Sequence, residues 1–154
     1  MIGGKQRMSL ETLSCSNNRM QGFLACMTAG TIQHEFMHAL GFLHEHVRPD
    51  RDDHVNVIEE NIKPGMEPQF LKMEMDSWFN MNSPYDEKSV MHYSSFAFSK
   101  DIWSPVVLGK DGHEIETNLK YITSIDAQEI DKTIKLIRKW DGINGKNGLK
   151  TNNC

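Results

Sequence analysis

Two histidines four residues apart, with a third beyond a glycine, constrain this chain more than any other feature. The segment is His34-Glu35-Phe36-Met37-His38-Ala39-Leu40-Gly41-Phe42-Leu43-His44. Apolar residues Ile32, Phe36, Ala39, Leu40 and Leu43 recur at steps of three and four, which predicts a helix over 28–42 with one apolar face. On such a helix His34 and His38 stand one above the other, with Cβ atoms about 6 Å apart. Two imidazoles so placed converge on one ion at Zn–N distances of about 2.0 to 2.1 Å. A helix that simply continued would carry residue 44 to the wrong side. Gly41, lacking a Cβ, lets the chain reverse and deliver His44 as third ligand. Three neutral histidines leave a fourth position for water, the arrangement of a catalytic rather than a structural zinc site. Glu35 follows the first ligand by one helical step and is the natural general base. A structural zinc module would need a fourth protein ligand at motif spacing, and only three are present. His46, His54, His92 and His113 are read as non-ligands with ordinary polar roles.

Composition narrows the partners. Seventeen Lys plus Arg against 21 Asp plus Glu give a net charge of -4, which leaves no basic surplus for phosphates and argues against nucleic acid as a partner. No stretch approaches the roughly 20 apolar residues of a membrane-spanning helix, and residues 1–7 lack the apolar core of a secretory signal. With 154 residues the chain is one domain. Residues 1–141 are read as that domain, its two halves meeting near Gly41, and 142–154 as a flexible tail ending in Cys154.

The remaining elements are weaker. Lys5 to Leu10 alternates as a strand would, and the polar run Ser14 to Gln21 reads as a loop. From Arg48 to Pro68 the chain is charged and interrupted by prolines, which predicts irregular structure with a short helix from about Glu67. A long helix is expected over 124–140, with Ala127, Ile130, Ile134 and Ile137 on one face. Thr123 and Asp126 resemble a capping box at its start.

His34-Glu35-x-x-His38-x-x-Gly41-x-x-His44 resembles the metzincin zinc motif. The continuation Phe42-x-His44-Glu45-His46-x-Arg48-x-Asp50-Arg51-Asp52 is similar to the astacin branch. So are Gly3-Gly4-x-Gln6-x-x-Ser9-Leu10, Gly30-Thr31-Ile32-Gln33, Asn61-Ile62-x-Pro64-Gly65-Met66-Glu67 and Ser89-Val90-Met91-His92-Tyr93, in the same order. The resemblance implies an α+β, two-lobed catalytic domain: a small amino-terminal sheet, an active-site helix and a mostly irregular carboxy-terminal lobe with a long helix. It implies a zinc endopeptidase holding one Zn²⁺, acting on proteins or peptides outside the cell and activated by loss of a propeptide that this sequence does not include. Position by position, Met91 becomes the hydrophobic floor of a Met-turn. Tyr93 becomes the tyrosine that contacts zinc at rest and then stabilises the tetrahedral intermediate. Glu45 becomes the glutamate that meets the mature amino terminus, and Gly4, Gln6 and Met8 lie on the edge strand that pairs with substrate.

Family domains carry a strand and helix ahead of the Gly3-Gly4 position, so the resemblance implies an amino-terminal lobe that is incomplete here. It also implies that Cys26 and Cys154 would pair with cysteines of that upstream stretch. Cys15 lies in an insertion and is a candidate partner for Cys26. The rival reading is an inactive or incomplete relative acting only as a zinc- or substrate-binding module; the presence of both Glu35 and Tyr93 argues against designed inactivity, and the incomplete-module reading stays open.

Overall fold

The computed structural model describes residues 28–74 and 82–144. Among them the architecture is α+β: helix α1 (Ala29–Ala39), strand β1 (Val55–Val57), strand β2 (Val107–Gly109) and helix α2 (Ser124–Asn144). Short 3-10 turns at Glu45–Val47, Arg51–Asp53, Glu59–Asn61 and Glu67–Phe70 fill the interval after α1. The expected strand over 5–10, with Gly4, Gln6 and Met8, the loop at 14–21, all three cysteines and the last ten residues lie outside the described residues.

Helix α1 begins at a cap and ends at a glycine. Thr28 is extended, and its Oγ1 accepts the Thr31 N–H at 3.1 Å, satisfying one of the amides that a first helical turn leaves unpaired. At the other end the Gly41 N–H donates to the His38 carbonyl at 2.9 Å and the Phe42 N–H to the Met37 carbonyl at 3.0 Å. This is the Schellman pair of bonds, and it requires a left-handed residue at Gly41, whose φ is +96°. Phe42 then packs against the cluster of Met37, Val90 and Met91, in keeping with the apolar contact that often accompanies the motif. Gly41→Ala places a Cβ in that left-handed conformation at a cost of about 1–2 kcal/mol. A fall in melting temperature of about 2–8 °C is expected in thermal denaturation of the metal-free chain. An unchanged transition would contradict this account of the turn.

The helix is shorter than the expected span, and its buried side is not the expected one. Phe36 is 58% exposed and Leu43 53%, while Met37 is 1% exposed. His34, Met37 and His38 share the side that faces the core, and Phe36 lies about 200° around the axis from each histidine. The buried stripe is therefore the one that bears the ligands. It packs through Met37 on Val90 and Met91, with Phe42, Ile122 and Ile130 around them. Gly30 sits against the chain at Leu119, whose carbonyl accepts its N–H at 3.1 Å; a Cβ there would lie 2.2 Å from the Leu119 carbonyl carbon.

A second core forms where the sequence suggests only irregular chain. Val55 pairs with Gly109 and Val57 with Val107 in a two-stranded antiparallel ladder. Val55, Ile62, Phe70, Val106, Val107 and Ile115 are buried together beside it. Three-residue strands are too short to show alternation against charged neighbours, so the pairing becomes visible only in three dimensions. The short helix expected near Glu67 is the 3-10 turn Glu67–Phe70, which buries Phe70.

Helix α2 starts where the capping pattern places it. The Thr123 N–H donates to Asp126 Oδ2 at 2.8 Å and the Asp126 N–H to Thr123 Oγ1 at 3.0 Å, the reciprocal bonds of a capping box. The helix runs to Asn144, past the residue-141 boundary read from the sequence. No helix among the described residues is long and apolar enough to cross a membrane.

Candidate active site and metal centre

The Schellman turn sends the chain back so that His44 faces the two histidines of α1. The His38 and His44 Nε2 atoms stand 3.2 Å apart, those of His44 and His34 stand 3.3 Å apart, and all three ligand atoms lie within 4.8 Å of one another. A tetrahedral ion with arms of about 2.0 to 2.1 Å separates its ligand nitrogens by about 3.3 to 3.4 Å. The two short separations match that edge.

The opposite ring nitrogens show which way the lone pairs point. His34 Nδ1 is 2.7 Å from the Val90 carbonyl oxygen, and His38 Nδ1 is 2.9 Å from the Phe42 carbonyl oxygen. A carbonyl only accepts, so both Nδ1 atoms carry the proton, and both Nε2 atoms turn lone pairs toward the shared centre. With those lone pairs aimed at one centre, His34 and His38 present two of the donors that a cation between the three rings would need. Backbone carbonyls behind metal-binding imidazoles are a common way of fixing the tautomer. Burial, reinforced by the neighbouring imidazoles of His38 and His46, pushes His44 down to about 3, and burial likewise lowers His38. These rings stay neutral at physiological pH, as metal ligands must. The donor set thus fits a zinc ion held by His34, His38 and His44.

Glu35 is half-buried on α1, one residue beyond His34. Met91 is 2% exposed beneath α1, packed on Met37, and its carbonyl accepts the Glu45 N–H at 3.0 Å, which holds the chain just after His44 against the 89–93 turn. The Tyr93 ring lies 4.4 Å from that of His44, and burial raises its phenol above the ordinary range. Tyr93 is also stacked on His46 at 4.0 Å.

The other histidines have separate environments. His46 is fully buried, with Nε2 at 3.0 Å from the Gln69 carbonyl oxygen. His92 donates from Nδ1 to the Tyr93 carbonyl at 2.6 Å and meets Tyr85 Oη through Nε2 at 2.7 Å. His54 stacks on Tyr85, and exposed His113 lies between Asp111 and Glu87. Glu45 is buried and accepts from Arg48 at 2.9 Å and from the Asp86 N–H at 2.9 Å; burial raises it to about 7 against the pull of Arg48.

These groups give the metal-free chain a definite acid response. Burial lowers His46 to about 3 and also lowers His44, His38 and His92. Each folded-state value lies below the unfolded one of about 6.5, so the unfolded chain takes up more protons as the solution is acidified. Their contribution is complete above about pH 6.5 and is lost as pH falls toward about 3. Raised Glu45, Glu129 and His113 act with the opposite sign, stabilising at low pH, and they are outnumbered by the four lowered histidines. The urea midpoint is expected to fall steadily between about pH 6.5 and about pH 4. A midpoint that rises across that interval would contradict the assignment.

What sequence reasoning misses is chiefly backbone. The Val90 and Phe42 carbonyls that hold His34 and His38 have no side-chain signature, and the second role of Asp126 is hidden behind its helix cap.

Comparison with known proteins bears on the same residues. The family model Astacin, which describes a peptidase family, matches residues 3–135. The chain is 40% identical over 131 residues to zinc metalloproteinase nas-14 of Caenorhabditis elegans, covering 84% of this chain and 24% of that protein. It is 40% identical over 114 residues to bone morphogenetic protein 1 of Xenopus laevis, covering 73% and 16%. Among solved structures it is similar to high choriolytic enzyme 1, a hatching enzyme zinc-protease from the medaka fish Oryzias latipes, with TM-score 0.66 and 35% identity over 71% of this chain and 54% of that one. The chain thus spans about a quarter or less of these two curated relatives and about half of the hatching enzyme. With the family model spanning most of its length and the zinc motif in register, the chain belongs to the astacin family of zinc peptidases.

Proposed function

We propose that this chain is the catalytic domain of a zinc-dependent endopeptidase that hydrolyses peptide bonds in proteins. The observation that carries the reading is the convergence of His34, His38 and His44, with two Nε2 separations at tetrahedral spacing and two of the rings backed by carbonyls on Nδ1. One zinc held by His34, His38 and His44 would act as a Lewis acid and lower the pKa of water to about 7.

The chain's own groups do the rest. Glu35 takes the proton from water as its oxygen forms the new C–O bond, and then gives that proton to the amine nitrogen, so that the peptide C–N bond breaks in a second step. Tyr93 keeps its phenolic proton at neutral pH, because burial raises it, and donates it as a hydrogen bond to the carbonyl oxygen as charge builds there. Met91 is the apolar floor that keeps the ligand rings at a fixed height. Gly4, Gln6 and Met8 would present backbone to an extended substrate, a mode of recognition that reads main chain more than side chains. By family resemblance the enzyme acts outside the cell on protein substrates, after a propeptide has been removed.

The test is digestion of an unfolded protein, read by mass spectrometry of the fragments. Internal cleavage that stops on chelation and returns with added zinc is expected. Chains that hold zinc yet leave the substrate intact would make this a binding module instead.

A further inference from the structure

Asp126 is 1% exposed, and its carboxylate accepts from three neutral donors, Ser89 Oγ at 2.6 Å, the Val90 N–H at 3.2 Å and the Thr123 N–H at 2.8 Å. A helix cap needs only the last of these. The Ser89 hydroxyl is itself buried and sits at a junction: it donates to Asp126 and accepts the Met91 N–H at 2.9 Å. The Met91 N–H and the Val90 carbonyl belong to one planar peptide unit. That carbonyl is the acceptor for His34 Nδ1 at 2.7 Å.

The bonds therefore form one continuous chain. His34 Nδ1–H donates to the Val90 carbonyl; the amide of the same peptide unit donates to Ser89 Oγ; the Ser89 hydroxyl donates to Asp126. We infer that Ser89 and Asp126 are positioning residues for the ligand His34, acting through the peptide between residues 90 and 91. The inference rests on the metal site proposed above.

Two physical effects support it. Successive hydrogen bonds polarise one another, so a carboxylate at the far end makes the Val90 carbonyl a stronger acceptor and His34 Nε2 a stronger donor to a metal. The arrangement is equivalent to a carboxylate resting directly on a metal-binding imidazole, drawn out through a serine and a peptide. The second effect is orientation. The peptide cannot rotate without breaking the Ser89 bond, and Asp126 fixes Ser89 to the start of α2, so the ring of His34 is tied to a long helix far along the chain.

The test is zinc affinity of the full 154-residue chain, measured by competition with a chromophoric chelator. Ser89→Ala is expected to weaken zinc binding about 10- to 100-fold, as loss of an outer partner of a metal-bound histidine does. Asp126→Asn should act similarly, and the double variant should be no weaker than the worse single one, because both break one chain. Thr123→Ala removes both the acceptor for the Asp126 N–H at the helix cap and the hydroxyl that donates to Asp86, while sparing the route to His34. It should lower the melting temperature and leave zinc affinity unchanged. A separate readout is the long-range proton–nitrogen NMR spectrum of the metal-free chain. His34 should be protonated at Nδ1 in the parent and become a tautomer mixture in Ser89→Ala.

Unchanged affinity and tautomer in Ser89→Ala would overturn the inference. So would a full multiplication of the two single effects, or an equal loss of affinity in Thr123→Ala. Absence of peptide hydrolysis with this affinity pattern intact would fault the catalytic reading alone.

Discussion

Glu35→Gln is expected to hold as much zinc as the parent chain while kcat/KM for peptide hydrolysis falls by about 10² to 10⁴-fold. The side chain keeps its size and its place on α1, one residue beyond His34, and no ligand is touched. What disappears is the ability to take a proton from water and hand it on to the amine, because an amide does neither at neutral pH. The loss should appear mainly in kcat, since substrate contacts are unaltered. Turnover within a few fold of the parent at full zinc occupancy would remove Glu35 from the mechanism.

His38→Ala has the larger structural consequence. It deletes one of the three converging nitrogens and the bond from Nδ1 to the Phe42 carbonyl that ties the ring to the turn after α1. Two histidines remain, so zinc affinity is expected to fall by more than the roughly 10- to 100-fold that losing an outer partner costs. Zinc that binds only the folded state raises the melting temperature, and that rise should vanish in the variant. In the metal-free protein the change is milder, because it removes a half-buried imidazole whose Nε2 faces that of His44 across 3.2 Å. Stoichiometric zinc in His38→Ala would mean that a different ligand set holds the metal.

The sequence carries the local chemistry of this site and little of its support. The start of α1 near residue 28 is legible in its apolar periodicity and its turn in Gly41, because a left-handed position demands a particular residue type; the Thr28 cap emerges only in the structure. Thr123 and Asp126 announce α2, because a capping box likewise demands particular residue types. The apolar periodicity through Phe36 and Leu43 points to the wrong side of α1, since both are exposed in the structure. Such periodicity reports where a helix is apolar, and not which side meets the core. Strands β1 and β2 escape because their partners are far apart along the chain and each is only three residues long. Hydrogen bonds through the Val90 and Phe42 carbonyls cannot be read at all, since every residue has a carbonyl and only the fold decides which one faces a histidine.

The most direct measurement is peptide hydrolysis by the metal-free chain as zinc is added in steps, with bound zinc counted by elemental analysis on the same samples. Three converging histidines predict that activity rises in proportion to bound zinc and levels off at about one ion per chain. Cleavage that persists in the metal-free chain, or a chain saturated with zinc that cleaves nothing, would contradict the account.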